Sequence, residues 1–191
     1  MWFHAFYRSC VIALVFVAAA TSAADLWGDT NDDDRLTKAT GVLFHESQVF
    51  KGHRYYLSKP LGYPDFDTSE ALCHLIGGYL VEVNDADEHR FIKSFLNTFS
   101  DISYVYTGGS DEKKEGSWVF RGSGKPVTYF DWVEGQPGSD TLANCLVYHK
   151  TTWWGMDDNV CTFSGGSSRF MCEVHVKQDS YFSKFFKLLW K

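Results

Sequence analysis

The sequence predicts a single α+β domain. Two helical segments with recognisable caps come first, and short aromatic strands separated by turns follow them. Helices segregated from a run of strands are typical of α+β domains. Four cysteines downstream of an apolar N-terminal segment indicate that disulfides crosslink this domain. A chain of 191 residues, 45% of them hydrophobic, is long enough to enclose one sizeable core.

The N-terminal segment has the pattern of a secretory signal peptide. Arg8 precedes an apolar run over residues 11–20, and small residues at 21–23 offer a cleavage site. The alternative is an uncleaved signal anchor, but the run is short for a hydrocarbon core about 30 Å thick. We therefore expect residues 1–23 to be removed and the protein to be secreted and extracellular. A flexible acidic leader is expected over residues 24–44.

The first helix is predicted from its cap and its periodicity. Asp67 lies three residues before Glu70, which is the spacing of a capping box, and an apolar face follows. Gly77-Gly78 suits a left-handed cap at the C-terminal end of this helix.

The second helix is expected to run from Ala86 to Leu96, because Asp85 and Glu88 repeat the capping spacing. Outside the helices, aromatic or β-branched runs bounded by turn residues predict short strands. They cover residues 54–58, 79–83, 104–106, 118–120, 146–148 and 170–174, with a weaker strand or turn over 45–50.

The cysteines indicate disulfides rather than a zinc site. Cys10 leaves with the signal peptide, so Cys73, Cys145, Cys161 and Cys172 remain. Three pairings are open at this point. Structural zinc is disfavoured because no Cys-x-x-Cys pair occurs and the expected compartment is oxidising.

The stretch from Trp132 to Cys161 contains the candidate binding region. Residues 135–138, Gly-Gln-Pro-Gly, predict an irregular loop. Cys145 and Cys161 can close this stretch on itself, and the pair Asp157-Asp158 lies just before the second cysteine. A glutamine carbonyl and two carboxylates presented together suit a hard cation or a polyhydroxylated ligand.

The composition and motifs disfavour several functions. The net charge of −6 provides no basic surface for nucleic acid. The sequence contains no Gly-x-Ser-x-Gly elbow and no His-Glu-x-x-His zinc helix. Because no nucleophile and base can be paired from spacing either, we do not expect an enzyme.

Residues 177–191 predict a basic amphipathic helix. Aromatic and aliphatic residues recur there at steps of three and four, with lysines between them. Because so short a helix is marginal alone in water, its apolar face needs a contact. Three contacts are open: the chain's own domain, a partner or oligomer, and a membrane surface.

An ordered series of short motifs extends from about residue 55 to residue 174. Its members are Tyr55-Tyr56, Ala71-x-Cys73, Gly77-Gly78-Tyr79-Leu80, Glu88-x-x-Phe91-Ile92, Thr107-Gly108-Gly109-Ser110-Asp111, Glu115-Gly116-Ser117-Trp118, Trp132-x-x-Gly135-Gln136-Pro137, Asn144-Cys145-Leu146-Val147, Asp157-Asp158-Asn159-Val160-Cys161 and Phe170-Met171-Cys172-Glu173. This series resembles the C-type lectin-like domain. The run from Gly77 to Val83 especially resembles secreted invertebrate lectins of the perlucin type.

The resemblance implies a specific architecture. It places a C-type lectin-like domain at residues 45–176, with two helices packed on small antiparallel sheets and a long loop region. It also implies the disulfides Cys73–Cys172 and Cys145–Cys161.

The resemblance also implies a calcium site, which is degraded in this chain. Gln136-Pro137 matches the long-loop motif and implies galactose-type recognition, and Asp157-Asp158 matches an Asn-Asp ligand pair. Gly138 and Ala143 occupy two positions where the family has ligands, and Asp140 is a candidate substitute. Calcium takes six to eight oxygens, whereas these residues supply about four. Calcium binding is therefore expected to be weak or absent.

Three further residues are candidates. Asp111 and Glu115 match part of an accessory calcium site whose other ligands are absent, and the alternative is that both are solvated in a charged turn. Trp154 is a candidate for stacking on a sugar, because strand alternation places it opposite Trp153, which we assign to the core. Asp157 and Asp158 have their own alternative, a turn cap before the cysteine.

The resemblance implies a secreted carbohydrate-binding lectin module with galactose-type leaning and little or no calcium dependence. Its partner would be a carbohydrate or a glycoprotein. The alternative is a lectin-like domain that has lost sugar binding and contacts proteins or mineral surfaces. The missing ligands motivate this alternative, and residues 177–191 would then provide an oligomer or surface contact.

Overall fold

The computed structural model describes residues 40–62, 65–162 and 167–176. The expected signal peptide, the leader up to residue 39 and the amphipathic segment 177–191 lie outside the described residues, and residues 40–43 are helical. The strands are β1 (Phe44–Phe50), β2 (His53–Ser58), β3 (Tyr79–Leu80), β4 (Tyr104–Ser110), β5 (Val119–Phe120), β6 (Cys145–His149), β7 (Gly155–Asn159) and β8 (Ser168–His175). The helices are α1 (Phe66–Leu75) and α2 (Ala86–Leu96), and one 3₁₀ turn (Lys150–Thr152) joins β6 to β7.

The strands form one mixed sheet with the order β1-β2-β8-β4-β6-β7. The short strands β3 and β5 pair with β8 and β4, respectively. The predicted α+β fold is confirmed. The ladder between β4 and β8 is parallel, which departs from the expected antiparallel sheets. β7 is the strand at one edge of the sheet. The turn that joins β6 to β7 and the long loop beside β7 can therefore form a binding surface.

The capping prediction is confirmed for α2 and corrected for α1. The Asp85 carboxylate accepts hydrogen bonds from the backbone N–H groups of Asp87 and Glu88, both at 2.9 Å. At α1, however, Asp65 is the cap and accepts from the N–H of Thr68 at 2.8 Å, so the helix begins two residues before the predicted start. Gly77, with φ of +76°, ends α1 as predicted.

The core lies between α2 and the sheet. The largest fully buried side chains come from α2, from strands β2 to β8 and from the turn before β7. They are Trp154, Tyr55, Tyr106, Tyr148, Phe120, Phe170, Leu57, Leu80, Ile92, Leu96, Leu146 and Met156. Trp118 also belongs to this core. β7 was not predicted, because its sequence Gly-Met-Asp-Asp-Asn has few residues that favour strands.

Both implied disulfides are present. Cys73–Cys172 joins α1 to β8, with its Cα atoms 5.3 Å apart and a sequence separation of 99. Cys145–Cys161 closes the long-loop region, with its Cα atoms 5.2 Å apart. In the loop-entropy model, the longer crosslink stabilises a fold by about 4–5 kcal/mol and the shorter by about 3 kcal/mol.

Candidate functional site

The first part of the long loop is fastened along the edge of β7. Trp132 pairs with Met156 in a parallel bridge, and the N–H of Val133 donates to the carbonyl of Met156 at 2.9 Å. The N–H of Gln136 then donates to the carbonyl of Val133 at 3.0 Å, which closes a turn. The loop therefore reaches Gln136 from a rigid base, and the Gln136–Pro137 peptide bond that follows is cis.

Gln136, Gly138 and Asp158 converge on one small volume, which we name the long-loop site. The N–H of Gly138 donates to Oδ1 of Asp158 at 2.9 Å. A Cβ placed on Gly138 would lie 3.2 Å from Oε1 of Gln136 and 3.5 and 3.7 Å from the two carboxylate oxygens of Asp158. Three acceptor oxygens therefore lie close around Gly138, near the point where a side chain would begin.

An unpaired acceptor is part of this site. Oε1 of Gln136 is buried and has no hydrogen-bond partner. A buried amide oxygen without a donor is unfavourable by about 1–3 kcal/mol relative to a paired one. The site therefore favours a ligand that supplies a hydrogen-bond donor or a cation.

The predicted pair of carboxylates is divided between two environments. Consecutive residues of a strand point to opposite faces, so Asp157 lies away from Asp158 and contacts His149, with Oδ2 3.1 Å from Nδ1. Asp157 is 7% exposed, and its Oδ1 has no partner. Burial raises the pKa of Asp157; His149 opposes this shift, and the charge of Asp158 adds to it. Of the two aspartates, only Asp158 belongs to the long-loop site.

Asp140 has a local structural role. Its Oδ1 accepts from the N–H of Leu142 at 3.0 Å, and its carbonyl accepts from the N–H of Ala143 at 2.9 Å. These bonds stabilise the turn that follows the loop. The use of Asp140 as a substitute ligand stays a prediction.

Asp111 and Glu115 differ in burial. Glu115 is exposed, but Asp111 is only 2% exposed, so the alternative that both are solvated is wrong for Asp111. Its Oδ2 accepts from the N–H of Gly116 at 2.8 Å, while its buried Oδ1 has no partner. The turn thus contains one buried carboxylate oxygen for which the described residues supply no partner.

The prediction for the two tryptophans is wrong in both parts. Trp154, the proposed stacking residue, is 1% exposed and donates from Nε1 to Oδ1 of Asn97 at 3.0 Å. Trp153, assigned to the core, is 83% exposed. The physical reason is backbone conformation: both residues have φ near +60°, so the strand alternation assumed in the prediction does not apply.

A protein-family model matches more than half of the chain. The family model described as the lectin C-type domain matches residues 64–174. The chain belongs to the C-type lectin domain family. This confirms the resemblance that the ordered motifs indicated.

Curated relatives of this C-type lectin domain include invertebrate and fish proteins. A perlucin-like protein of Mytilus galloprovincialis is 29% identical over 90 residues, which is 47% of this chain and 58% of the relative. Salivary C-type lectin 2 of Aedes albopictus is 38% identical over 38% of this chain and 50% of the relative. The galactose-specific lectin nattectin of Thalassophryne nattereri is 33% identical over 51% of this chain and 57% of the relative. The matches thus span little more than half the length of these relatives.

Solved structures support the same fold. The carbohydrate-recognition domain of mouse scavenger receptor C-type lectin has a TM-score of 0.58 and 24% identity, covering 70% of this chain and 95% of that domain. Human lithostathine, at 1.3 Å, also has a TM-score of 0.58 with 24% identity, over 67% of this chain and 87% of that one. Within the described residues, no helix is both long and apolar enough to cross a bilayer.

Calcium is the metal that a C-type lectin domain implies, and the residues fit it poorly. The long-loop site offers the amide oxygen of Gln136 and the carboxylate of Asp158, while Asp157 contacts His149. Across residues 40–62, 65–162 and 167–176, no three His, Cys, Asp or Glu side chains form a group that could hold a metal. Calcium takes six to eight oxygens. We therefore assign no step of ligand binding to the metal.

Sequence reasoning missed a group of buried glutamates contributed by α2, β8 and the segment after β3. Glu82, Glu88 and Glu173 are 5%, 6% and 2% exposed. Oε2 of Glu173 accepts from the N–H of Glu82 at 3.1 Å, and its Oε1 lies 2.7 Å from Nδ1 of His53. Oε1 of Glu88 accepts from the hydroxyl of Tyr55 at 2.7 Å. Burial first, and then the charge of Glu88, raises the pKa of Glu173 to about 7.

A signal for this group was present in the sequence. Glu82 stands between two valines in the middle of an apolar run, where a solvated carboxylate is not expected. Glu88 was interpreted only as a capping residue, although its carboxylate accepts from the N–H of Asn84 at 2.8 Å, outside the helix.

Proposed function

We propose that this C-type lectin domain binds carbohydrate at the long-loop site through direct hydrogen bonds from sugar hydroxyl groups. The observation that carries the proposal is the buried, unpaired Oε1 of Gln136 beside the carboxylate of Asp158. Both groups accept hydrogen bonds, and adjacent hydroxyls of a sugar ring are able to donate them. Because Oε1 is shielded in the unliganded chain, binding requires the half-buried Gln136 side chain to turn this oxygen toward the sugar, and pairing then removes the unfavourable free energy of an unpaired acceptor.

Gly138 makes room for this ligand. A side chain at this position would begin 3.2 Å from Oε1 of Gln136, which is tighter than an ordinary van der Waals contact, and would crowd the acceptors that a sugar must approach. Its N–H meanwhile holds the Asp158 carboxylate in place, which lowers the ordering cost of binding. Calcium contributes little in this scheme.

The choice of sugar follows from the glutamine. The Gln136-Pro137 motif resembles that of galactose-type family members, and the relative nattectin is described as galactose-specific. One structural neighbour is a complex of SPL-1 with GlcNAc. We infer galactose or a galactose-terminated glycan as the ligand, and secretion as the means by which the domain meets it outside the cell.

Isothermal titration with galactose and mannose, each with and without millimolar calcium, tests the proposal. Galactose should bind more tightly than mannose, with little effect of calcium. Gln136→Ala and Asp158→Asn should each weaken galactose binding about tenfold or more, because the first removes an acceptor and the second replaces a charged acceptor by a neutral amide. Glu134→Gln is the matched control, since Glu134 lies exposed on the same loop. An absence of heat and of retention on galactose resin under every condition would reject sugar binding.

A second candidate function is contact with a protein or mineral surface. The incomplete calcium shell favours it, because Gly138 and Ala143 provide no side-chain ligands. Under this hypothesis the chain binds calcium carbonate or another protein but no sugar. Removal of residues 177–191, followed by light scattering, tests the associated assembly: a monomer before and after the truncation would contradict it.

A further inference from the structure

The tip of the β6–β7 hairpin has an unusual backbone. After the 3₁₀ turn, Trp153 and Trp154 both adopt left-handed conformations, with φ of 60° and 61°. Bulky residues rarely occupy this region, and glycine or asparagine suits it much better. A strained backbone of this kind persists only where the surroundings determine it.

Contacts beneath the tip determine this conformation. The N–H of Trp154 donates to the carbonyl of His149 at 3.1 Å, and its buried indole donates to Asn97, which caps α2. The ammonium group of Lys150 donates to the carbonyls of Phe99 and Ser100, at 3.0 and 2.6 Å. The tip is thereby fastened to the segment that follows α2, and Trp154 is its anchor.

Trp153 has no comparable structural role. It is 83% exposed, the highest value among the exposed large hydrophobic residues of the described ranges. Its side chain makes no hydrogen bond and no ring contact within those ranges; only its backbone N–H is engaged, with the carbonyl of Lys150 at 3.0 Å. The turn does not require an indole, so neither the turn nor the core accounts for this side chain. An exposed tryptophan on a rigid base is a preorganised binding group.

We propose that Trp153 is a second carbohydrate contact, which stacks its indole on the apolar face of a sugar ring distant from the long-loop site. This inference rests on the proposed function. Indole rings are suited to such a contact because they combine a large apolar face with a polar N–H. The exposed hydroxyl of Thr151, 2.8 Å from Nε2 of His149, lies two residues away and provides a polar rim.

The hairpin sets the length of the ligand. Asp158 pairs with Leu146, and Gly155 pairs with His149. At about 3.4 Å per residue, the intervening strand separates the long-loop site from the start of the tip by about 10 Å, and Trp153 lies beyond that. One sugar ring cannot reach both places. The expected ligand is an oligosaccharide whose terminal residue occupies the long-loop site and whose later ring contacts Trp153.

Titration with galactose and with lacto-N-neotetraose, a linear galactose-terminated tetrasaccharide, tests this inference. The wild type should bind the tetrasaccharide about tenfold more tightly than galactose. Trp153→Ala should bring this ratio close to one and leave the galactose affinity unchanged, whereas Trp153→Phe should retain most of the ratio. Leu142→Ala is the control, because Leu142 is 71% exposed in a separate turn and should change neither affinity.

Each outcome has a distinct meaning. If galactose binds and Trp153→Ala leaves the ratio unchanged, the second contact is refuted and the proposed function stands. If neither sugar binds to the wild type, both are refuted. A third arm uses vesicles of phosphatidylcholine and phosphatidylserine. A blue shift of tryptophan emission that depends on Trp153 and appears with vesicles but not with the tetrasaccharide would identify a membrane contact and overturn the inference.

Discussion

Replacement of Glu173 by glutamine tests whether the buried carboxylate is held protonated by its surroundings. Glu173 is 2% exposed, and burial together with the charge of Glu88 raises its pKa from the ordinary 4.5 to about 7. One pKa unit corresponds to about 1.4 kcal/mol, so the full shift amounts to about 3 kcal/mol. A protonated carboxyl and a glutamine amide are both neutral and similar in shape, so the variant represents the protonated state at every pH.

The direction in which the free energy of unfolding changes with pH follows from where the proton is bound. Between about pH 4.5 and pH 7 the folded chain keeps the Glu173 proton, whereas the unfolded chain has released it. The contribution of this group to the free energy of unfolding is therefore fully present below about pH 4.5 and falls as the pH rises toward 7. The glutamine variant has no such loss.

Urea unfolding of both proteins at intervals from about pH 4.5 to pH 8 provides the assay. The free energy of unfolding of Glu173→Gln, relative to the wild type, should rise by up to about 3 kcal/mol across this window and then level off. Glu112→Gln is the control, because Glu112 is exposed and should show no such trend. A difference between Glu173→Gln and wild type that is constant with pH would refute the raised pKa and the burial argument behind it.

Three further changes have predictable effects on stability. Gly78→Ala should lower the free energy of unfolding by about 3 kcal/mol or more, because the new Cβ would lie 2.3 Å from a backbone carbonyl oxygen of β8. Thermal unfolding measures this loss. Gly41→Ala is the control and should be nearly neutral, because nothing lies within 4 Å of its Cβ position. Asp65→Ala should cost about 1 kcal/mol of the free energy of unfolding through loss of the α1 cap. Asp67→Ala should cost less, since Asp67 accepts no capping bond and only pairs with the partly exposed Arg121 at 2.9 Å, and equal losses in urea unfolding would contradict the assignment. Replacement of both cysteines of the Cys145–Cys161 bridge by serine should lower stability by about 3 kcal/mol and abolish retention on galactose resin. A variant that keeps full retention would show that the crosslink does not shape the site.

The sequence was most informative where local chemistry decides structure. The bounds of α2 were predicted correctly because its cap, its periodic apolar residues and its length all agree. The predicted start of α1 was two residues too late. Asp65 and Asp67 are both suitable caps, and only the folded structure selects between them. The pairing of the cysteines followed from the resemblance, not from spacing.

The site was only partly predictable. Gln136 and Asp158 were identified from the motif, and the structure brings them together. Asp157 contacts His149 because both lie in the paired strands β6 and β7. β7 forms through its pairing with β6, since its own residues do not favour a strand, so this contact could not be predicted from the sequence. Trp153 is exposed and Trp154 is buried, the reverse of the prediction, because both residues adopt left-handed backbone conformations. Two adjacent tryptophans give no sequence signal for that conformation.

The sheet order has a practical consequence for attaching this protein to a support. The described chain enters through β1 and leaves through β8, which are separated by β2 alone, while the candidate ligand surfaces lie along β7 at the opposite margin. At about 4.8 Å between neighbouring strands, β1 and β7 stand about 24 Å apart. A biotin tag or a fusion partner joined directly before β1 or directly after β8 would leave the far margin open, so both attachment points suit sensor chips and display formats.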